Sequence, residues 1–98
     1  MQSWNFKQIN NCLCYAVTLR LSLGLHARPA ARLAQEMQSF NSVITVSCRG
    51  KNVDAKSTLD LLTLGAIEGC ELQFYANGKE SEACLIRIAE LFSTEMRD

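Results

Sequence analysis

The chain has 98 residues, 48% of them hydrophobic and 20% charged, with ten basic and ten acidic side chains. That length holds one small domain with a single core and excludes a two-domain enzyme with a cleft between lobes. The apolar share excludes a disordered chain, and a net charge of zero excludes a general attraction to nucleic acid or to a membrane surface. The zero conceals a gradient, because residues 1–67 carry seven bases and three acids and residues 68–98 carry three bases and seven acids. The basic part suits an anionic ligand or an acidic partner, unless folding mixes the two.

Residues 1–14 have mixed polarity and no period. They read as a loose N-terminal extension, with the domain over residues 15–98. Tyr15–Leu21 alternates, with Val17, Leu19 and Leu21 on one face, as a half-buried strand does. The run 12–25 is interrupted by Thr18, Arg20 and Ser22 and has no small-x-small cleavage site after it, so it reads as a strand of a cytosolic protein. A helix is expected over 27–40, with Ala30, Leu33, Ala34, Met37 and Phe40 at helical spacing and Pro29 in the first turn. Val43–Cys48 is a second strand, Arg49-Gly50-Lys51 a turn and Asn52–Ala55 a returning strand.

Ser57–Leu64 reads as a short helix ended by Gly65, and Cys70–Ala76 as a fourth strand with Leu72, Phe74 and Ala76 inward. Asn77-Gly78 turns the chain into a closing helix over 80–96, with Leu85, Ile88, Ala89, Phe92 and Met96 on one stripe. The expected fold is α+β in the order β-α-β-β-α-β-α: a four-stranded antiparallel sheet covered on one face by three helices.

The five cysteines, at 12, 14, 48, 70 and 84, are odd in number, and three stand in apolar runs, which suits reduced buried thiols. Cys12-x-Cys14 lacks the spacing of a zinc or redox pair and the chain has one histidine, so no metal site and no cofactor is expected. That histidine stands in Gly24-Leu25-His26-Ala27-Arg28-Pro29-Ala30-Ala31, at the mouth of the first helix. Backbone N–H groups there carry the positive end of the helix dipole and make an anion site. An imidazole that accepted a phosphoryl group at this place would have those amides and Arg28 to bind its oxygens.

This octapeptide, followed by Gly50-Lys51-x-Val53-x-Ala55-Lys56-Ser57, Leu64-Gly65-Ala66 and Ala76-x-Gly78, resembles the HPr family. These are the histidine-containing phosphocarriers of the bacterial phosphoenolpyruvate-dependent sugar phosphotransferase system. The likeness covers about residues 15–95. It implies the same fold, a cytoplasmic monomeric carrier rather than an enzyme, and phosphorylation of His26 through Nδ1, with Arg28 steadying the phosphoryl group. It implies enzyme I as donor and enzyme IIA-type proteins as acceptors. It also implies a docking patch of Thr58, Leu59 and Leu62, with Leu61 and Leu64 in the core and Arg28, Arg32 and Lys56 steering acidic partners.

Ser57 stands 31 residues after His26, the family's spacing for a serine that an HPr kinase/phosphorylase modifies in some bacteria. Ser57 and Asp60 also form an S-x-x-D capping box, so Ser57 reads as a helix cap, as a regulatory site, or as both. The second functional reading is accordingly a regulatory binding protein whose state is set at Ser57 and whose output is contact with a kinase or transcription regulator. His26 weighs against it, since purely regulatory paralogues lack this histidine. Leu23 stands where the family often has a small polar residue, which removes one side-chain bond to the phosphoryl group.

Overall fold

The computed structural model describes residues 6–96. Five strands form one antiparallel sheet: β1 (Lys7–Ile9), β2 (Cys12–Thr18), β3 (Ser42–Cys48), β4 (Lys51–Asp54) and β5 (Glu71–Gly78), in the order β1-β2-β5-β3-β4. Three helices intervene or follow: α1 (Ala27–Met37), α2 (Thr58–Thr63) and α3 (Ser81–Glu90). The side chains of the central strand alternate. Leu72, Phe74 and Ala76 are buried under the helices, and Glu71, Gln73 and Asn77 face out. Ile44, Val46 and Cys48 continue the buried layer on β3, while Val43 lies open to solvent. From the helices, Leu33 and Met37 of α1, Leu61 of α2 and Leu85 and Ile88 of α3 complete one core.

Three differences from the expected elements have local causes. The sheet has five strands, because residues 7–14, expected to be loose, form β1, the turn and the start of β2. Asn10 takes φ 56°, and asparagine tolerates the left-handed conformation that a two-residue hairpin turn needs. Phe6 then sets its ring edge-on to Tyr15, 5.5 Å between centroids. Residues 1–5 of the expected extension lie outside the described residues.

The closing helix does not run to Met96. It is α-helical to Glu90 and continues as a π-helical turn over Leu91–Glu95, closed by the Met96 amide on the Leu91 carbonyl at 2.7 Å. The hydroxyls of Ser93 and Thr94 donate to the Glu90 carbonyl at 3.3 and 3.0 Å, competing for the acceptor that an α-helical Thr94 amide would use. At the other end, α1 stops at Met37, three residues short of Phe40, as the Ser39 hydroxyl donates to the Glu36 carbonyl at 2.8 Å.

An ionic clamp ties α1 to the end of α3. Arg87 grips Glu36 with two bonds of 2.9 and 3.1 Å and Glu95 with two of 2.6 and 2.9 Å. The bonds from Arg87 hold the Glu36 carboxyl below its ordinary value of 4.5. A lowered folded-state value means stability that is fully present above the ordinary carboxylate value and lost as pH falls through the lowered one. Glu36→Gln is therefore expected to lower the melting temperature by a few degrees at neutral pH. The difference from wild type should shrink below about pH 4. Melts from pH 3 to pH 7 check this; a gap that stays constant to pH 3 would refute it.

Candidate functional site

The segment before α1 is shaped by a close backbone approach. Gly24 has φ +70°, and a Cβ there would sit 2.4 Å from the Ala66 carbonyl oxygen, so only glycine fits. The same carbonyl accepts from the Leu25 amide at 3.0 Å, and Leu19 and Cys70 strap the loop below it at 2.8 Å. Leu21 and Leu25 are buried on either side of this bend. The chain is thus pinned to the 66–70 loop on one side and enters α1 on the other, with His26 between as the N-cap residue.

His26 takes an extended backbone conformation (φ −89°, ψ −170°), and its side chain makes no capping bond, which leaves the ring half-buried at the helix mouth. Its carbonyl accepts from the Ala30 amide at 3.0 Å, and Pro29 has no N–H. The amides of Ala27 and Arg28 are therefore the first-turn donors without an intrahelical acceptor. Nδ1 lies 3.1 Å from the Gly24 carbonyl oxygen. A carbonyl only accepts, so in this contact Nδ1 bears the proton and Nε2 the lone pair. Attack through Nδ1, the atom implied by family resemblance, requires that the proton move to Nε2 and the Gly24 contact be given up.

His26 faces a cleft of about 280 Å³, with Arg28 and Arg32 on its α1 wall and Glu95 and Met96 on the π-helical turn. Arg28 is exposed and makes no ion pair among the described residues. Arg32 is engaged: its Nη2 donates to Glu95 at 2.8 Å and its Nε to Glu36 at 3.3 Å. Lys56, the third cation expected to steer partners, donates to the Phe40 carbonyl at 2.7 Å. Of the three, Arg28 alone is uncommitted. Glu95 was invisible as a site residue from the sequence, since it reaches Arg32 across 63 positions. A larger, open depression of about 630 Å³, beside Arg49, Glu68 and Glu71, holds no histidine and no exposed thiol.

Ser57 is the N-cap of α2, and its hydroxyl accepts from the Asp60 amide at 3.1 Å, so the cap half of its reading is present. The reciprocal bond of a capping box is absent; the Asp60 carboxylate accepts from the Asp54 amide at 3.3 Å. The Gln38 side chain, just past the end of α1, donates to the Lys56 carbonyl at 2.9 Å, whereas Ala66, beyond the end of α2, meets Gly24. The two helices run in opposite directions, and Ser57 lies toward the far end of α1 from His26.

On α2, Leu61 is fully buried and Leu64 nearly so, whereas Leu59 is 75% and Leu62 40% exposed and Thr58 half-buried. The apolar surface extends further than the sequence suggested, with Leu23 at 72% and Ile67 at 55% exposure on the two loops that meet at Gly24. Ile67 carried no signal in the sequence, because a lone apolar residue between glycines has no period. All five cysteines are free, and burial pushes the Cys84 thiol up to about 11. Among the described residues no cluster suited to a metal ion occurs, and no helix is long and apolar enough to cross a membrane.

The family model for the PTS HPr component phosphorylation site matches residues 15–94. The phosphocarrier protein HPr of Xylella fastidiosa is 32% identical over 84 residues, which span 86% of this chain and 94% of that protein. The HPr-like protein Crh of Bacillus subtilis is 36% identical over 80 residues, 82% of this chain and 94% of the relative. The crystal structure of a phosphocarrier protein HPr from Bacillus anthracis superposes with a TM-score of 0.80 at 31% identity, covering 86% of this chain and all of that one. With its β-α-β-β-α-β-α core and one histidine at the mouth of α1, the chain belongs to the HPr family of phosphotransferase-system phosphocarriers.

Proposed function

We propose that this protein carries a phosphoryl group on His26, receives it from enzyme I and passes it to enzyme IIA-type acceptors, as a monomer in the cytoplasm. The observation that carries the reading is the half-buried His26 ring beside Arg28, which has no ion pair among the described residues, at the end of α1 where two amides lack intrahelical acceptors. With the proton moved from Nδ1 to Nε2 and the Gly24 contact given up, Nδ1 attacks phosphorus. A P–N bond forms as the donor's bond to phosphorus breaks, and the donor keeps that electron pair. Arg28 and the amides of Ala27 and Arg28 take the phosphoryl oxygens.

Among the described residues the cleft supplies no second nucleophile, and the one carboxylate lining it is paired. Activation of the incoming group is therefore left to the partner, as suits a carrier rather than an enzyme. Incubation with enzyme I and phosphoenolpyruvate, followed by intact mass, tests the proposal. One phosphoryl group should be gained and then lost on acid treatment, since a phosphoramidate is acid-labile and a serine ester is not.

The likeness to Crh gives weight to a second role, regulation through phosphorylation of Ser57. A phosphate on Ser57 would sit toward the end of α1 away from His26. It acts on docking, because it places about two negative charges on the helix that exposes Leu59 and Leu62. Ser57→Asp is expected to weaken enzyme I binding severalfold without changing the rate of transfer within the complex. Ser57→Ala should leave both nearly intact and cost about 1 kcal/mol through the lost cap. Titration of enzyme I and parallel melts decide; wild-type binding by Ser57→Asp would remove the mechanism.

A further inference from the structure

Arg32 lies one helical turn beyond Arg28 on α1, on the wall of the His26 cleft, and its guanidinium is committed to Glu95 on the opposite wall. We propose that Arg32 is a second phosphoryl-binding cation and that Glu95 is its resting counter-ion, so that phosphorylation of His26 exchanges a carboxylate for phosphoryl oxygen at Arg32. The inference rests on the reading of His26 as the phosphoryl acceptor and adds to it two residues that act in opposite senses.

Three observations support the exchange. Glu95 does not depend on Arg32, because Arg87 already gives it bonds of 2.6 and 2.9 Å. When Arg32 leaves, the carboxylate stays paired, and Arg32 itself keeps Glu36 at 3.3 Å. The π-helical turn is what carries Glu95 to the cleft, and a wide turn of this kind at the end of a helix often marks a functional position. Finally, the charges drive it. A phosphoryl group on His26 brings about two negative charges into a cleft of about 280 Å³ that already holds the Glu95 carboxylate. Arg87 keeps that carboxyl below its ordinary value, hence ionised at neutral pH. The phosphoryl oxygens attract Arg32 and repel Glu95. Arg32 thus stabilises phospho-His26, while Glu95 raises its energy and helps the group to leave for the next acceptor.

The experiment uses the full chain with enzyme I and phosphoenolpyruvate. Its readouts are the phosphorylated share at equilibrium with phospho-enzyme I and the 15N–1H signals of the Arg32 Nη groups before and after phosphorylation. Arg32→Gln is expected to lower the phosphorylated share about three- to tenfold, Arg32→Lys to restore part of it, and Glu95→Gln to raise it by a similar factor. The Arg32 Nη signals of the wild type should move on phosphorylation. Unmoved signals, or a wild-type share in both Arg32→Gln and Glu95→Gln, overturn the exchange while leaving His26 as the acceptor. A wild-type protein that gains no acid-labile group overturns the acceptor reading and the exchange with it.

Discussion

His26→Ala is expected to abolish the acid-labile phosphoryl group that enzyme I and phosphoenolpyruvate add, and to leave the fold intact. Among the described residues no other group in the cleft can replace the imidazole: Arg28 and Arg32 are cations, Glu95 is paired, and Leu23, Pro29 and Met96 are apolar. The loss should therefore be complete rather than graded. The fold should survive, because the ring is half-buried, caps nothing and makes one bond, to the Gly24 carbonyl. The N-cap contribution of position 26 is made by its backbone carbonyl to Ala30, which alanine keeps. A cost under about 1 kcal/mol follows. Intact mass with and without acid, beside a thermal melt, makes the measurement. Acid-labile labelling that persisted in His26→Ala would place the acceptor elsewhere.

Leu61→Ala and Leu62→Ala, one residue apart on α2, should fail in different ways. Leu61 is fully buried in the common core, and its truncation leaves a cavity worth about 2–5 kcal/mol. Docking per folded molecule should hardly change. Leu62 is 40% exposed, so its truncation costs the fold less and removes apolar contact from the surface it shares with Leu59. Enzyme I affinity is expected to fall by about tenfold, the effect of a moderate interface residue. Titration and melting of both variants separate the two. If Leu62→Ala melts as low as Leu61→Ala and binds normally, α2 is not the docking surface.

The assignment of Leu61 to the core and Leu62 to the surface came from the family resemblance; helical spacing alone showed only that leucines on nearly every side of a short helix cannot all be buried. The alternation of Leu72, Phe74 and Ala76 places a strand and chooses its buried face without any partner being known. Pro29 after His26 marks the start of α1, and Ser57 before Asp60 marks the start of α2, for purely local reasons of φ and capping. β1 escaped because Lys7, Gln8 and Ile9 are all exposed at the sheet edge and so show no period. Its one local sign was the Asn10-Asn11 turn.

By itself, then, the sequence determined the order of the core elements, their buried faces and the position of one histidine at a helix mouth, since each depends on neighbours within a turn or two. Only the tertiary structure decided the state of the cations around that histidine. Arg28, Arg32 and Lys56 look alike as residues, yet among the described residues Arg28 has no ion pair, Arg32 is held by Glu95 from 63 positions away and Lys56 is spent on the Phe40 carbonyl. Charge interactions reach across space without regard to chain distance. Which cation is left for a phosphoryl group is therefore settled where α1 meets the π-helical turn, by packing that no local pattern encodes.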